Sequence, residues 1–281
     1  MQHRVPIDAT FQVFKYINLS PSISFSGRTY LSRERLSWDK VARHIAAGRP
    51  AILPIGAAAK QHGFHLPLNT DRVQAEWFAA QLAERIDALI WPTVTYGYYP
   101  AFVEYAGSAS LSASTFEAVV HEIAAGILDG GIGTLFVLDT GISTLAPVER
   151  ALARFDPARV THLRLYQGPR FSRVAGQIAE QRHGSHADEL ETSLMLALAP
   201  DLVEPERAEA SPVLRQEVPG RLTPSDGNSP NYSRSGSYGD PTLATPAKGA
   251  ALLAAILDDL DEQVSVALGK NAMRPQPGTS R

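Results

Sequence analysis

The sequence predicts an α/β protein of three layers, α/β/α, built on a mainly parallel central sheet. Three observations predict it. Short apolar runs of strand length, such as Ala51-Ile52-Leu53-Pro54-Ile55 and Thr134-Leu135-Phe136-Val137-Leu138, read as strands buried on both faces. Between them lie stretches with apolar residues at helical spacing, as in Phe116, Val119, Val120, Ile123, Ala124 and Ile127. The chain has 281 residues, 44% of them hydrophobic and 20% charged, enough apolar surface for one large core.

The elements follow in chain order. Ser37 is placed to cap a helix through Val41, Ile45 and Ala46 to Gly48, ahead of the strand Ala51 to Ile55. A helix from about Arg72 to Arg85 carries Val73, Trp77, Ala80 and Leu82 near helical spacing, and a strand over Leu89 to Val94 follows it. The helix Thr115 to Leu128 stops at Asp129-Gly130-Gly131, and the strand Thr134 to Leu138 comes next. Thr144 is placed to cap a further helix. Val160 to Tyr166 reads as a strand, Asp188 to Leu198 as a helix stopped by Pro200, and Lys248 to Leu268 as a long helix. The organisation expected is an N-terminal extension over 1–35, one α/β domain over 36–270, and a disordered tail over 271–281. A Pro-, Glu-, Arg- and Ser-rich loop or insertion at 203–231 interrupts the domain.

Composition excludes several functions. The net charge is −3 and Lys and Arg do not cluster with aromatics, so nucleic acid is not an expected partner. There is no cysteine, which leaves His, Asp and Glu as the available metal ligands. No segment approaches the apolar length of a membrane span, and Met1 to Ser20 lacks the apolar core of a signal peptide. The expectation is a cytoplasmic protein with no membrane partner.

Chemistry concentrates in Lys60-Gln61-His62-Gly63-Phe64-His65-Leu66-Pro67-Leu68-Asn69-Thr70-Asp71, directly after an expected buried strand. Imidazoles and a carboxylate at such a strand end are raw material for a metal or acid–base site, although structural histidines are common. Lys60 stands where a metal site would want a carboxylate. A second cluster, His183-Gly184-Ser185-His186-Ala187-Asp188-Glu189-Leu190-Glu191, opens a helix. Asp188 and Glu189 there suit a helix N-terminus electrostatically, whereas Glu191 is less easily assigned to that role. Asp139-Thr140-Gly141-Ile142-Ser143-Thr144 follows another buried strand and offers backbone amides to an anion. Tyr96, Tyr98, Tyr99, Phe102 and Tyr105 suit a pocket wall for a flat or cyclic substrate, a core or a subunit interface. Arg234 to Thr242 reads as turns ahead of a helix.

Taken together, these stretches resemble the creatininase (creatinine amidohydrolase) family from about Ile52 to Leu268. Pro54, Gly56, Gln61, His62, Gly63, His65, Leu66, Pro67, Thr70 and Asp71 match the family's Pro-x-Gly-x-x-Glu-Gln-His-Gly-x-His-Leu-Pro-x-x-Thr-Asp motif. His186-Ala187 with Glu191-Thr192-Ser193 is similar to a second motif, His-Ala-Gly-x-x-Glu-Thr-Ser, and Gly239-Asp240-Pro241 with Ala244-Thr245 to a third. The resemblance implies a creatininase-like α/β fold, a homo-oligomer (often a hexamer), and cleavage of amide or related C–N bonds with one or two divalent metals. It makes His62 and Asp71 metal ligands, with Asp71 bridging, sets His186 beside the substrate or has it shuttle protons, and has Glu191 complete the site. The departures fall at the chemistry. Lys60 replaces the first glutamate ligand, Asp139 to Thr144 replaces the Asn-Gly-His-Gly-Gly-Asn ligand motif, and Phe102 replaces a family histidine.

Three readings follow. In the first, a metal-poor or metal-free enzyme acts on a small amide, lactam or related carbonyl metabolite. Its catalytic residues are Lys60, His62, His186 and Glu191, with His65, Tyr99, Phe102, Asp139 and Ser143 binding substrate. Lys60 serves there as ammonium, base or Schiff-base amine. In the second, one Zn, Mn or Fe ion on His62, Asp71 and Glu191, or on a carboxylated Lys60, supports ordinary amide hydrolysis. In the third, the chain is a non-catalytic binding or assembly subunit. The cofactor expected is accordingly none or one divalent metal.

Overall fold

The structure, a computed structural model, describes residues 36–211 and 221–272. The expected N-terminal extension lies outside the described residues, as do 273–281 of the expected tail and 212–220 of the expected loop.

Among the described residues, four parallel strands form the sheet: β1 (Ala51–Ile55), β2 (Leu89–Ile90), β3 (Leu135–Asp139) and β4 (Val160–Arg164), in the order β2-β1-β3-β4. The register runs from Ala51 opposite Leu135 to Ile55 opposite Asp139, and on to Asp139 opposite Arg164. All residues of β1 and β3 are buried, as continuous apolar runs in a covered parallel sheet must be.

Side chains alternate between the two faces and divide the core in two. Ala51, Leu53, Ile55, Leu135 and Val137 pack against α3 (Ala113–Asp129) and α4 (Leu145–Leu152), with α1 (Trp38–Ala46) at the margin. Ile52, Phe136, Leu138 and Leu163 face the other way, onto α2 (Thr70–Ile86), α5 (Pro169–Ile178), α6 (Glu189–Leu198) and α7 (Pro246–Ala272). This is the three-layer arrangement expected. Complete burial of Phe136 and Leu138 contributes roughly 1.5–3 kcal/mol each.

Several element boundaries differ from the sequence expectation. The strand expected over Leu89 to Val94 stops at Ile90, because Pro92 cannot donate to the ladder; pairing resumes once, where Val94 bridges Ile55. α5 was not expected, and α7 runs through Ala272, two residues into the expected tail. Ser112 caps α3 through Thr115 N–H, and Asp188 caps α6 through the amides of Leu190 and Glu191. Ser37 and Thr144 precede their helices without side-chain caps. Among the described residues, no helix is long and apolar enough to cross a membrane.

β1 has β2 on one side and β3 on the other, so the chain leaves β1 and β3 toward opposite faces of the sheet. A crevice opens between such divergent loops at the strands' C-terminal ends. The loops after Ile55 and after Asp139 both emerge there.

Candidate active site

The loop after β1 is tightly constrained. Gln61 bridges two turns: its Oε1 accepts Gly63 N–H at 2.8 Å and its Nε2 donates to Gly236 O at 2.9 Å. Gly63 has φ +72, and a Cβ there would lie 2.7 Å from Ser237 Oγ and 2.8 Å from the His65 ring. Only glycine meets both demands. The expected turn at 234–242 therefore braces the loop, and Tyr238 also pairs with His186 through backbone hydrogen bonds in both directions.

Lys60 projects into this frame and is buried, with its Nζ 2.6 Å from Asp71 Oδ2. It lies 5.4 Å from the Phe102 ring centre and 5.6 Å from that of Tyr99, within cation–π range of both. Asp71, at the start of α2, also meets His62 Nε2 through Oδ1 at 3.0 Å. Burial pushes the Asp71 carboxyl up, but the charges of Lys60 and His62 outweigh it and hold the group well below the usual carboxylate range.

His62 Nδ1 lies 2.9 Å from Lys60 O; a carbonyl only accepts, so Nδ1 donates and Nε2 faces inward. His186 is arranged in the same sense. Its Nε2 donates to Gln61 O at 2.8 Å, leaving Nδ1 toward Glu191 Oε2 at 3.8 Å. Burial, with the charges of His62 and Lys60 behind it, pushes the His186 imidazole well below its usual range, so the ring is neutral. Phe102 covers it with ring centres 4.1 Å apart. Glu191, on α6, reaches His62 Nε2 at 3.7 Å and accepts Ala187 N–H at 2.7 Å. Ala187 holds φ 45 to point that amide, a left-handed conformation that costs a non-glycine residue about 1 kcal/mol or more.

These groups border a cavity of about 430 Å³ lined by Lys60, Phe102, Ser143, Tyr166, His186 and Glu191 among others. The structure thus brings Lys60, His62, His186, Glu191 and Asp71 together, with Phe102 and Ser143 on the wall. Three expected substrate contacts do not reach it. His65 turns to Thr192 Oγ1 at 2.8 Å, and burial, then His62, lowers it to about 4. Asp139 gives Oδ1 to Gly141 N–H and to the Thr144 hydroxyl, which is why that hydroxyl does not cap α4. Tyr99 is buried behind Lys60, and burial raises its phenol above the ordinary range. Glu189, expected to act only electrostatically at a helix start, is fully buried, accepts the amides of Glu180 and Gln181, and pairs with Lys248 at 2.5 Å. Tyr166 and Phe171 line the cavity and were not singled out from sequence; the position of Tyr166 just past β4 was the available signal.

The paired-metal centre implied by the resemblance does not fit these residues. Lys60 Nζ occupies one oxygen of the motif aspartate, and the loop after β3 turns Thr140, Ile142 and Ser143 to the cavity, none of them an imidazole or carboxylate. The ligand set expected from sequence is His62, Asp71 and Glu191; the grouping found among the described residues is His62, His186 and Glu191, each placing one ligand atom within 4.8 Å of the others.

Comparison with known proteins agrees with the fold and the motifs. The Creatininase family model, described as creatinine amidohydrolase, matches residues 34–264. A creatinine amidohydrolase of Pseudomonas putida is 30% identical over 192 residues, 61% of this chain and 73% of that protein. A mycofactocin precursor peptide peptidase of Mycolicibacterium smegmatis is 27% identical over 231 residues, 79% of this chain and 87% of that protein. A crystal structure of creatinine amidohydrolase superposes with a TM-score of 0.72 at 23% identity, covering 88% of this chain and all of that one.

Proposed function

Because the chain belongs to the creatininase family, we propose that it hydrolyses a C–N bond of a small amide, lactam or related carbonyl compound, with Lys60, His62, His186 and Glu191 as its reactive groups. The observation that carries this reading is the Lys60 ammonium, buried, fixed on Asp71 at 2.6 Å, and bordering the same cavity as His186 and Glu191. The relatives support the reaction class, since they include a creatinine amidohydrolase and a peptide peptidase.

In this reading the substrate carbonyl oxygen turns toward Lys60 Nζ, whose N–H groups not engaged by Asp71 donate to the tetrahedral oxyanion. Water adds to the carbonyl carbon and loses its proton at the His62–His186–Glu191 triangle; the C–N bond then breaks and that proton goes to the leaving nitrogen. The 2.6 Å contact ties Lys60 Nζ to Asp71, which supports a hydrogen-bonding role over a Schiff base or a carboxylated lysine.

Amine release from a panel of small amides, lactams and short peptides tests the proposal. Lys60→Met is expected to lower kcat by about 10²–10³, the effect of losing one oxyanion donor. Unchanged turnover in Lys60→Met, or none by the wild type across the panel, overturns it.

A further inference from the structure

We propose that His62, His186 and Glu191 form a mononuclear site for one divalent cation of zinc type, displaced from the Asp71 position that the family motif marks. The three residues offer one ligand atom each within 4.8 Å of one another, with His62 Nε2 3.7 Å and His186 Nδ1 3.8 Å from the Glu191 oxygens. Ligands about 2.0–2.2 Å from a tetrahedral ion stand roughly 3.3–3.6 Å apart, so each imidazole must close on Glu191 by a few tenths of an ångström, and the widest pair of the set, up to 4.8 Å apart, by roughly 1 Å or more.

The surroundings of the two rings point the same way. The outer nitrogen of each imidazole donates to a backbone carbonyl, His62 Nδ1 to Lys60 O and His186 Nε2 to Gln61 O, which turns the other nitrogen of each ring inward; His186 Nδ1 is a ready ligand, and His62 Nε2 becomes one on giving up the proton it shares with Asp71. Such outer bonds orient metal-binding histidines and set their tautomers. Glu191 is held by Ala187 N–H at 2.7 Å, on a backbone strained to deliver it. His186 and Glu191 border the cavity whereas His62 is fully buried, so the three donors form a floor and the fourth position opens to the cavity. Two nitrogens and one carboxylate with an open position are a catalytic rather than a structural zinc set.

Lys60 does not block the cation, because Asp71 neutralises it at 2.6 Å. Asp71 Oδ1 approaches His62 Nε2 at 3.0 Å, but its other oxygen belongs to Lys60, so it stands beside the ion as a neighbour. The cation's use in catalysis rests on the reaction proposed above; its binding does not.

The test is calorimetric titration of the chelator-stripped full chain with ZnCl₂, with the absorption spectrum of the Co²⁺ adduct as a second readout. One Zn²⁺ per chain is expected, together with Co²⁺ bands of low-symmetry nitrogen–oxygen coordination. Glu191→Gln and His186→Ala should each weaken binding at least about tenfold. The double variant Lys60→Met/Asp71→Asn, which removes both charges of the pair together, should bind as the wild type does. Wild-type binding weaker than about 1 mM overturns the inference whatever the variants do. So does binding lost in the double variant and kept in Glu191→Gln. Turnover that survives in a chain that binds no Zn²⁺ overturns this inference and leaves the hydrolase reading standing; Zn²⁺ binding without turnover does the reverse.

Discussion

Lys60→Met should be one of the more destabilising single changes in this chain, although no apolar contact is lost. Lys60 and Asp71 are 6% and 1% exposed, and their charged atoms are 2.6 Å apart. At an effective dielectric of about 20, that separation gives an attraction of roughly 6 kcal/mol. His62 stays 3.0 Å from Asp71 and compensates part of the loss. The remainder agrees with the roughly 3–5 kcal/mol lost when one partner of a buried ion pair is removed. At about 2–4 °C per kcal/mol for a domain of this size, Tm should fall by roughly 6–20 °C. The double variant Lys60→Met/Asp71→Asn leaves no buried charge behind and should recover most of that loss. Scanning calorimetry of the wild type and the two variants measures both quantities. A Lys60→Met Tm within 2 °C of the wild type, or a double variant less stable than the single, would refute the ion-pair reasoning.

Two further outcomes follow. His65 is lowered to about 4 and Asp188 raised to about 6, in each case chiefly by burial, so their effects on stability oppose each other between pH 4 and 6.5. The neutral His65 contributes stability above the usual imidazole value that is lost as pH falls toward 4. Asp188 contributes stability below the usual carboxylate value that is lost as pH rises through 6. Each amounts to about 3 kcal/mol. Asp188→Asn should make stability rise more steeply with pH and His65→Asn less steeply, and parallel Tm-against-pH curves for both variants would contradict the assignment. Gly249→Ala improves intrinsic helix propensity by about 1 kcal/mol, yet its Cβ would lie 1.9 Å from Ser193 O, where α7 rests on α6. Urea unfolding should show a net loss of about 1–3 kcal/mol, and a more stable variant would mean that α7 does not approach α6 so closely.

The elements most legible in the sequence are those whose burial repeats locally. β1, β3, α3 and α6 lie within a residue or two of their expected bounds, because a run buried on both faces and a 3.6-residue stripe are both written in adjacent positions. The signal for α5 is also present, since Phe171, Val174, Ala175 and Ile178 have the spacing of one helix face, but Gly176 and a polar surround weaken it. The truncation of β2 follows from Pro92, which a hydropathy pattern does not register.

The candidate site divides along the same line. The sequence by itself determined, through its resemblance to the family motif, that Lys60 stands where that motif has a glutamate, and, from composition and order, that no cysteine serves as a ligand and that the loops after β1 and β3 carry the polar groups. Only the tertiary structure decided which of those groups meet. His65 and His62 belong to one motif, yet one ring turns to Thr192 and the other to Asp71 and Glu191. Asp139 ends a strand beside the cavity but spends one oxygen on the hydroxyl of Thr144. Gln61 and His186, 125 positions apart, touch because α6, packed on α7 and α2, carries the segment before it to the loop after β1. Periodicity is a property of neighbours along the chain and survives in sequence; convergence depends on how separate elements pack across the core, where shape and hydrogen-bond satisfaction choose each partner.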